Sequence, residues 1–191
     1  VKQPSASLHE VVITHELLHR SARPRHPDVD APALAAFAAA AADDPDAILH
    51  ALCRLARQLC AAGSSGVNRF DGDGPERHFR WIVIEGELAR YQNSVAPPDH
   101  SPCGYVFQRQ SAQLFRDCAR YFTWLDGVEP APCEALIVPL QRRRGEFFGT
   151  IWVVAHDPGK HFDMEDLRVL STLADHAAAA LTLHIEHYGQ R

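Results

Sequence analysis

The stretch from Cys133 to Leu183 constrains the fold of this chain more than any other. Residues 135–140 read ALIVPL, a basic turn runs through Arg142, Arg143, Arg144 and Gly145, and residues 147–155 read FFGTIWVVA. Two apolar runs around a polar turn containing glycine make a β-hairpin, and β-branched and aromatic residues fill the second run. That run is apolar on both faces, which predicts a central strand covered on two sides. Pro139 cannot donate to a ladder and is expected at an edge or a bulge. After a short loop, His156 to Phe162, a long helix is predicted from Asp163, with Asp163 as its cap and Glu165 and Asp166 in its first turn.

That helix carries more apolar surface than one sheet needs. Leu167, Leu170, Ala174, Ala177, Leu181, His184 and Tyr188 form one stripe; Val169, Leu173, His176, Ala180 and Leu183 flank it. One stripe docks a helix on its own sheet. A second implies a second partner, most economically the same helix of another subunit, and hence a homodimer.

The rest of the chain is compatible with one domain plus extensions. It has 191 residues, 46% apolar and 23% charged, which is ordinary for a globular protein. A net charge of -5 argues against a nucleic-acid-binding surface, the Arg142 to Arg144 tip being a small exception. Five cysteines without a CxxC pair suggest neither a disulfide framework nor a structural zinc site. No apolar run approaches the ~18 residues of a membrane span, and the first residues lack the apolar core of a secretory signal. The expected location is cytoplasmic.

Residues 1–43 read as an N-terminal helical arm and residues 44–188 as the folded domain. In the arm, Val11 to Leu18 predicts a short helix, broken by Arg23 to Asp28. It contains His15-Glu16-Leu17-Leu18-His19, a literal HExxH. Ala22 and Arg25 stand where the longer zinc-protease pattern needs Gly and a third His, and no metal is expected there. Pro32 to Ala42, alanine-rich and capped by Asp30, predicts a helix. The next helix is capped by Asp44 and opens on Pro45; Ile48, Leu52, Leu55 and Leu59 make its apolar face, and Gly63 is its expected stop. Cys53 and Cys60 lie near that face and read as small core residues. Val67 to Phe70 and Phe79 to Leu88 read as strands joined by the turn Asp71 to Pro75. This turn lacks the bidentate Glu of a calcium loop.

Residues 91–132 are the least regular. They hold His100 to Gly104 (HSPCG), the segment Tyr105 to Arg109, a possible strand Ala112 to Phe115, and Arg120 to Leu125 (RYFTWL). Aromatic walls with a few polar anchors suit a small-molecule site. The candidate site residues are Trp81, Cys103, Gly104, Phe107, Arg116, Tyr121, Phe122 and Trp124. Ser101 and Pro102 are placed to cap a short helix whose amides would lie near the Cys103 thiol. With Arg116 as a charged anchor, an anionic or strongly polar ligand with an aromatic body is expected. The alternative, that the aromatics plug the space and Arg116 pairs with Asp117 or solvent, stays open at this point.

From Ala135 to Leu140, through Gly145, Phe148 to Val154, Phe162 to Leu167 and Leu170 to Ala174, the sequence resembles the C-terminal half of a GAF domain, the ligand-sensing module of many bacterial signalling proteins. His100 to Gly104 is similar to a subgroup found in sensor histidine kinases and related regulators. The resemblance covers roughly residues 46–185. It implies an α+β fold: a five- or six-stranded antiparallel sheet, with the helices near 45–61 and 163–188 on one face and a ligand-pocket loop region on the other. It also implies a small-molecule- or redox-sensing input module of a two-component or similar system, relaying pocket state through its terminal helices to a histidine-kinase-type output domain or partner. The alternatives it raises are a thiol reductase of free methionine sulfoxide and a bilin photosensor. Cys103-Gly104 is similar to the reductase's Cys-Gly pair. The position several residues before Glu134, around Asp126 and Gly127, nevertheless has no cysteine, so no catalytic residue is assigned. A bilin usually needs a Cys beside a His, whereas Cys103 is followed by Gly104, and a single His100 is weak ground for haem. No cofactor is required.

Overall fold

The computed structural model describes residues 3–25, 31, 35, 45–72, 74–141 and 146–188, with side chains of the last helix through residue 176 and at 178. The expected helix Pro32 to Ala42, the Asp44 cap and the basic turn 142–145 lie outside the described residues.

Six strands form one antiparallel sheet: β1 (Ser64–Asp71), β2 (His78–Gly86), β3 (Val95–Ala96), β4 (Gln113–Arg116), β5 (Glu134–Gln141) and β6 (Phe147–Ala155), in the order β3-β2-β1-β6-β5-β4. β5 and β6 are the expected hairpin, with Ile137 opposite Trp152. β6 sits between β1 and β5 and is buried from Phe148 to Ala155, as its two-faced apolar run requires. β4 ends opposite Ile137, so β5 is locally an edge at Pro139, where no N–H is available; a register shift follows between Leu140 and Gln141.

Two helices cover one face: α2 (Pro45–Leu59) and α4 (Met164–Tyr188). Leu52, Ala56 and Leu59 of α2 and Val169, Leu170 and Leu173 of α4 are buried in one cluster with Val67, Leu136, Val138, Ile151 and Val153 of the sheet. α2 turns into β1 through Ala61, which takes a left-handed φ of 48°, with the Ala62 N–H donating to Arg57 O at 2.9 Å. Gly63 was the expected stop, but its N–H donates to Val154 O at 3.0 Å and so already belongs to the sheet. Asp163 caps α4 as its position predicts. Its Oδ1 accepts from the Glu165 and Asp166 N–H groups at 2.8 and 3.0 Å, and Asp166 Oδ2 accepts from the Asp163 N–H at 3.0 Å.

The arm does not form the single helix expected over Val11 to Leu18. It makes a short α1 (Leu8–Val11), then an extended Val12 and the N-cap Ile13, then a 3-10 helix over Thr14–Leu18. Competition from the sheet edge explains the break. Val12 bridges Phe115, the Ile13 N–H donates to Leu114 O at 2.8 Å, and the Leu114 N–H donates to Thr14 Oγ1 at 3.0 Å. Beta-branched Val12 suits that extended role. Val11 is buried on one side of the sheet, Ile13 and Leu17 on the other, so the arm wraps the β4 edge.

Charged contacts fasten the arm further along. Arg116 donates to Glu16 through two bonds of 3.0 and 2.6 Å. Arg20 grips the buried Glu134 with bonds of 2.7 and 2.9 Å, and Glu134 also accepts from the Phe162 N–H at 2.7 Å. Arg23 lies 2.8 Å from Asp166, and its own N–H donates to Asp163 at 2.9 Å. The arm therefore ties β4, the start of β5 and the start of α4 together. Within the HExxH segment, Glu16 and the buried Leu17 serve this fastening, while His15 and His19 are exposed. A 3-10 helix has about three residues per turn, so positions four apart do not share a face, and Glu16 is occupied by Arg116 and Arg20. Among the described residues no three His, Cys, Asp or Glu side chains group as a metal site, and no helix is long and apolar enough to cross a membrane.

Candidate functional site

The face opposite the helices is covered by residues 88–132, which include α3 (Pro102–Arg109). Ser101 caps α3 by accepting from the Gly104 N–H at 3.0 Å. Gly104 is needed for close approach: a Cβ there would lie 1.9 Å from Pro98 O. Its place in the HSPCG segment is thus explained by packing, which sets Cys103 against the sheet.

Under this cover lies a cavity of about 60 Å³. Its floor is Ala135 and Ile137 of β5 and Trp152 and Val154 of β6; Trp81, Leu88, Cys103, Cys118 and Leu125 contribute to the walls. Trp124 and Val128, both half-buried, stand where the lining reaches the surface. Trp152 lies flat over Gly66, where a Cβ would come within 2.3 Å of its ring. The three tryptophans form a chain, with ring centroids of Trp81 6.0 Å from Trp152 and 6.1 Å from Trp124.

Few polar atoms belong to this wall, and nearly all are engaged. Asn68, fully buried in β1, accepts from Trp152 Nε1 at 3.0 Å and donates to Cys103 Sγ at 2.9 Å. Thr150 Oγ1 also donates to Cys103 Sγ, at 3.4 Å. Trp124 Nε1 donates to His100 O at 2.8 Å. Trp81 Nε1 is the exception: it is buried and meets no acceptor among the described residues. An orphaned buried donor costs on the order of 1–3 kcal/mol, so this site retains an unmet demand. Burial pushes the Cys103 thiol up to about 11 despite the bonds from Thr150 and Asn68 that favour the thiolate, and pushes Cys118 up to about 12.

Of the eight residues the sequence nominated, Trp81, Cys103 and Trp124 line the cavity. Phe107 stacks on Phe70, with centroids 5.0 Å apart, and meets Phe147 at 4.8 Å, at a separate aromatic patch. Phe122 is buried against Phe115 and Tyr121, with centroids 6.1 and 4.9 Å away, and Gly104 is held under Pro98. Arg116 stands at the β4 edge with Glu16 and is not among the lining residues, so the charged anchor expected for an anionic ligand is absent from the described wall. Asn68, Thr150 and Trp152 were not singled out. Asn68 stands beside Arg69 in a strand reading SSGVNRFD, so the sequence pattern does not mark it as buried; once buried, its amide must find partners.

A GAF-domain family model matches residues 42–182. Among solved structures, the GAF-B domain of DevS from Mycobacterium smegmatis aligns with a TM-score of 0.62 at 20% identity, over 78% of this chain and 100% of that one. The GAF domain of a phosphoenolpyruvate-protein phosphotransferase from Coxiella burnetii aligns at 0.68 and 15% identity, over 87% and 100%. The photosensory core module of a Stigmatella aurantiaca phytochrome aligns at 0.64 and 14%, over 85% of this chain and 38% of that one. Among curated proteins none matches the chain. The family model spans most of the chain, and the chain belongs to the GAF-domain family.

Proposed function

We propose that the protein is an input module in which occupancy of the loop-face cavity is passed to α2 and α4. The observation that carries this reading is that cavity and helices share two strands. Ala135, Ile137, Trp152 and Val154 line the cavity, while the intervening Leu136, Val138, Ile151 and Val153 pack in the helix-side cluster. Strands packed at crystal-like density transmit small displacements. Glu134 adds a second path, since it opens β5 and is bonded to Phe162, one residue before the α4 cap. The output is a histidine-kinase-type domain or partner reached through the terminal helices, and the module works as a homodimer through α4. Helix through Tyr188 supports the double stripe read from the sequence.

The site acts by binding and not by catalysis in this reading. With its thiol at about 11, Cys103 carries a thiolate fraction of roughly one in ten thousand at neutral pH. A thermal-shift ligand screen followed by amide hydrogen exchange tests the proposal. A stabilising ligand should slow exchange in the first turns of α4 as well as in 118–132. Protection confined to the loops would defeat the relay. Light scattering tests the dimer: Leu181→Glu should give a monomer, and a parent already monomeric would remove that part.

A further inference from the structure

We propose that the cavity accepts a small uncharged ligand of about four or five non-hydrogen atoms, with an apolar body and one hydrogen-bond acceptor, which takes the Trp81 indole N–H. This rests on the sensing role above and names the ligand class for it. Size comes first. A cavity of about 60 Å³, at ~12–15 Å³ per water-sized occupant, has no room for a nucleotide or a bilin. Charge comes second. No Lys, Arg, His, Asp or Glu is among its lining residues, and Arg116, the charged candidate from sequence, is paired with Glu16 at the β4 edge. An ion entering this wall would lose its hydration and gain no counter-charge.

Hydrogen bonding sets the last requirement. All three tryptophans of the chain line the cavity. Two of their N–H groups are satisfied, that of Trp152 by Asn68 and that of Trp124 by His100 O. Asn68 is itself used at both ends, and Cys103 Sγ already accepts from Asn68 and Thr150. Trp81 Nε1 is therefore the one buried side-chain donor among the described lining residues that has no partner. A ketone, aldehyde or ether of this size supplies the acceptor that this donor lacks.

Three isosteric probes separate these requirements: acetone, isobutene and acetate, each titrated into ¹⁵N-labelled protein while the three indole N–H resonances are followed. Acetone should bind most tightly and move the Trp81 indole downfield. Isobutene should bind about three- to tenfold more weakly, the worth of one hydrogen bond, and acetate should not bind. In Trp81→Phe the Trp124 and Trp152 indoles report that the site is intact, and the preference for acetone over isobutene should vanish. Ala135→Leu, which fills the floor, should abolish all shifts. Acetate binding as well as acetone, a preference that survives Trp81→Phe, or shifts that survive Ala135→Leu would each overturn the assignment. So would silence from all three probes. If a larger or charged compound from the thermal-shift screen then protects α4, the ligand class fails and the sensing role stands; if no compound does, both fail.

Discussion

The two faces of this sheet are built from the same strands but filled in different ways. The helix face is chiefly aliphatic, with Leu52, Leu136, Leu140, Ile151, Leu170 and Leu173 each at most 1% exposed and Phe148 and Phe162 its aromatic members. The loop face is aromatic and holds buried polar groups, Asn68 and Thr150, together with a cavity. Leucine and isoleucine have many rotamers and can interdigitate until no void remains. Large flat rings that also need partners for their N–H groups pack less completely against irregular loops. The contrast assigns stability to one face and adaptability to the other.

Truncation should expose this contrast most sharply. Leu170→Ala, in the filled helix face, is expected to cost about 3–5 kcal/mol in chemical denaturation. A cost below that of the loop-face variants would break the comparison. Next in size is the fastening between the faces. Glu134→Ala removes two bonds from the Arg20 guanidinium, which keeps Glu16 and Phe162 O, and leaves the Phe162 N–H without its acceptor; about 2–3 kcal/mol should be lost, less than for a wholly buried pair because Arg20 is 15% exposed. On the loop face, Trp124→Ala removes a half-buried ring beside an existing cavity, and about 1–2 kcal/mol is expected where a filled core would lose ~3–5. Equal losses in Trp124→Ala and Leu170→Ala would show both faces to be equally packed.

The smallest effect is a pH dependence. The bonds from Arg116 hold the Glu16 carboxyl below its ordinary 4.5. A folded value below the unfolded one gives stability that is present above about 4.5 and lost as pH falls through the folded value. Glu16→Gln should therefore melt below the parent at neutral pH, and the two curves should converge in acid. Asp166 runs the other way: burial raises its carboxyl above 3.8, so its contribution to folding declines as pH rises from there through the folded value. A Glu16→Gln deficit that persists unchanged into acid would mean that the side chain matters for packing and not for its charge.

Local chemistry made much of this legible. The β5–β6 hairpin, the two packed helices and the Asp163 cap all follow from period, turn residues and capping positions within short windows. β3 did not, because its two residues are a strand only through the pairing of Val95 and Ala96 with Arg80 and Phe79. Arg116 was misleading for a related reason. As an arginine among aromatics it resembles a ligand anchor, yet its partner Glu16 lies 100 residues away in the chain. In the same way Arg20 reaches Glu134 across 114 positions. Trp81 and Trp124 were recoverable as wall residues, whereas the Asn68 bridge between Trp152 and Cys103 depends on the register of β1 against β6 and on where α3 docks.

The arm gives the family boundary a practical meaning. The matched span begins at residue 42, but Val11, Ile13 and Leu17 are buried and Ile13 and Thr14 bond to the backbone of Leu114. A protein trimmed to the matched span would present β4 with its outer N–H and C=O groups bare beside the apolar side chains of Leu114 and Phe115. Open strand edges of that kind recruit strands from neighbouring molecules. The trimmed protein should therefore be recovered as aggregates or as strand-paired oligomers, and an association measured on it would report the missing arm and not the behaviour of α4.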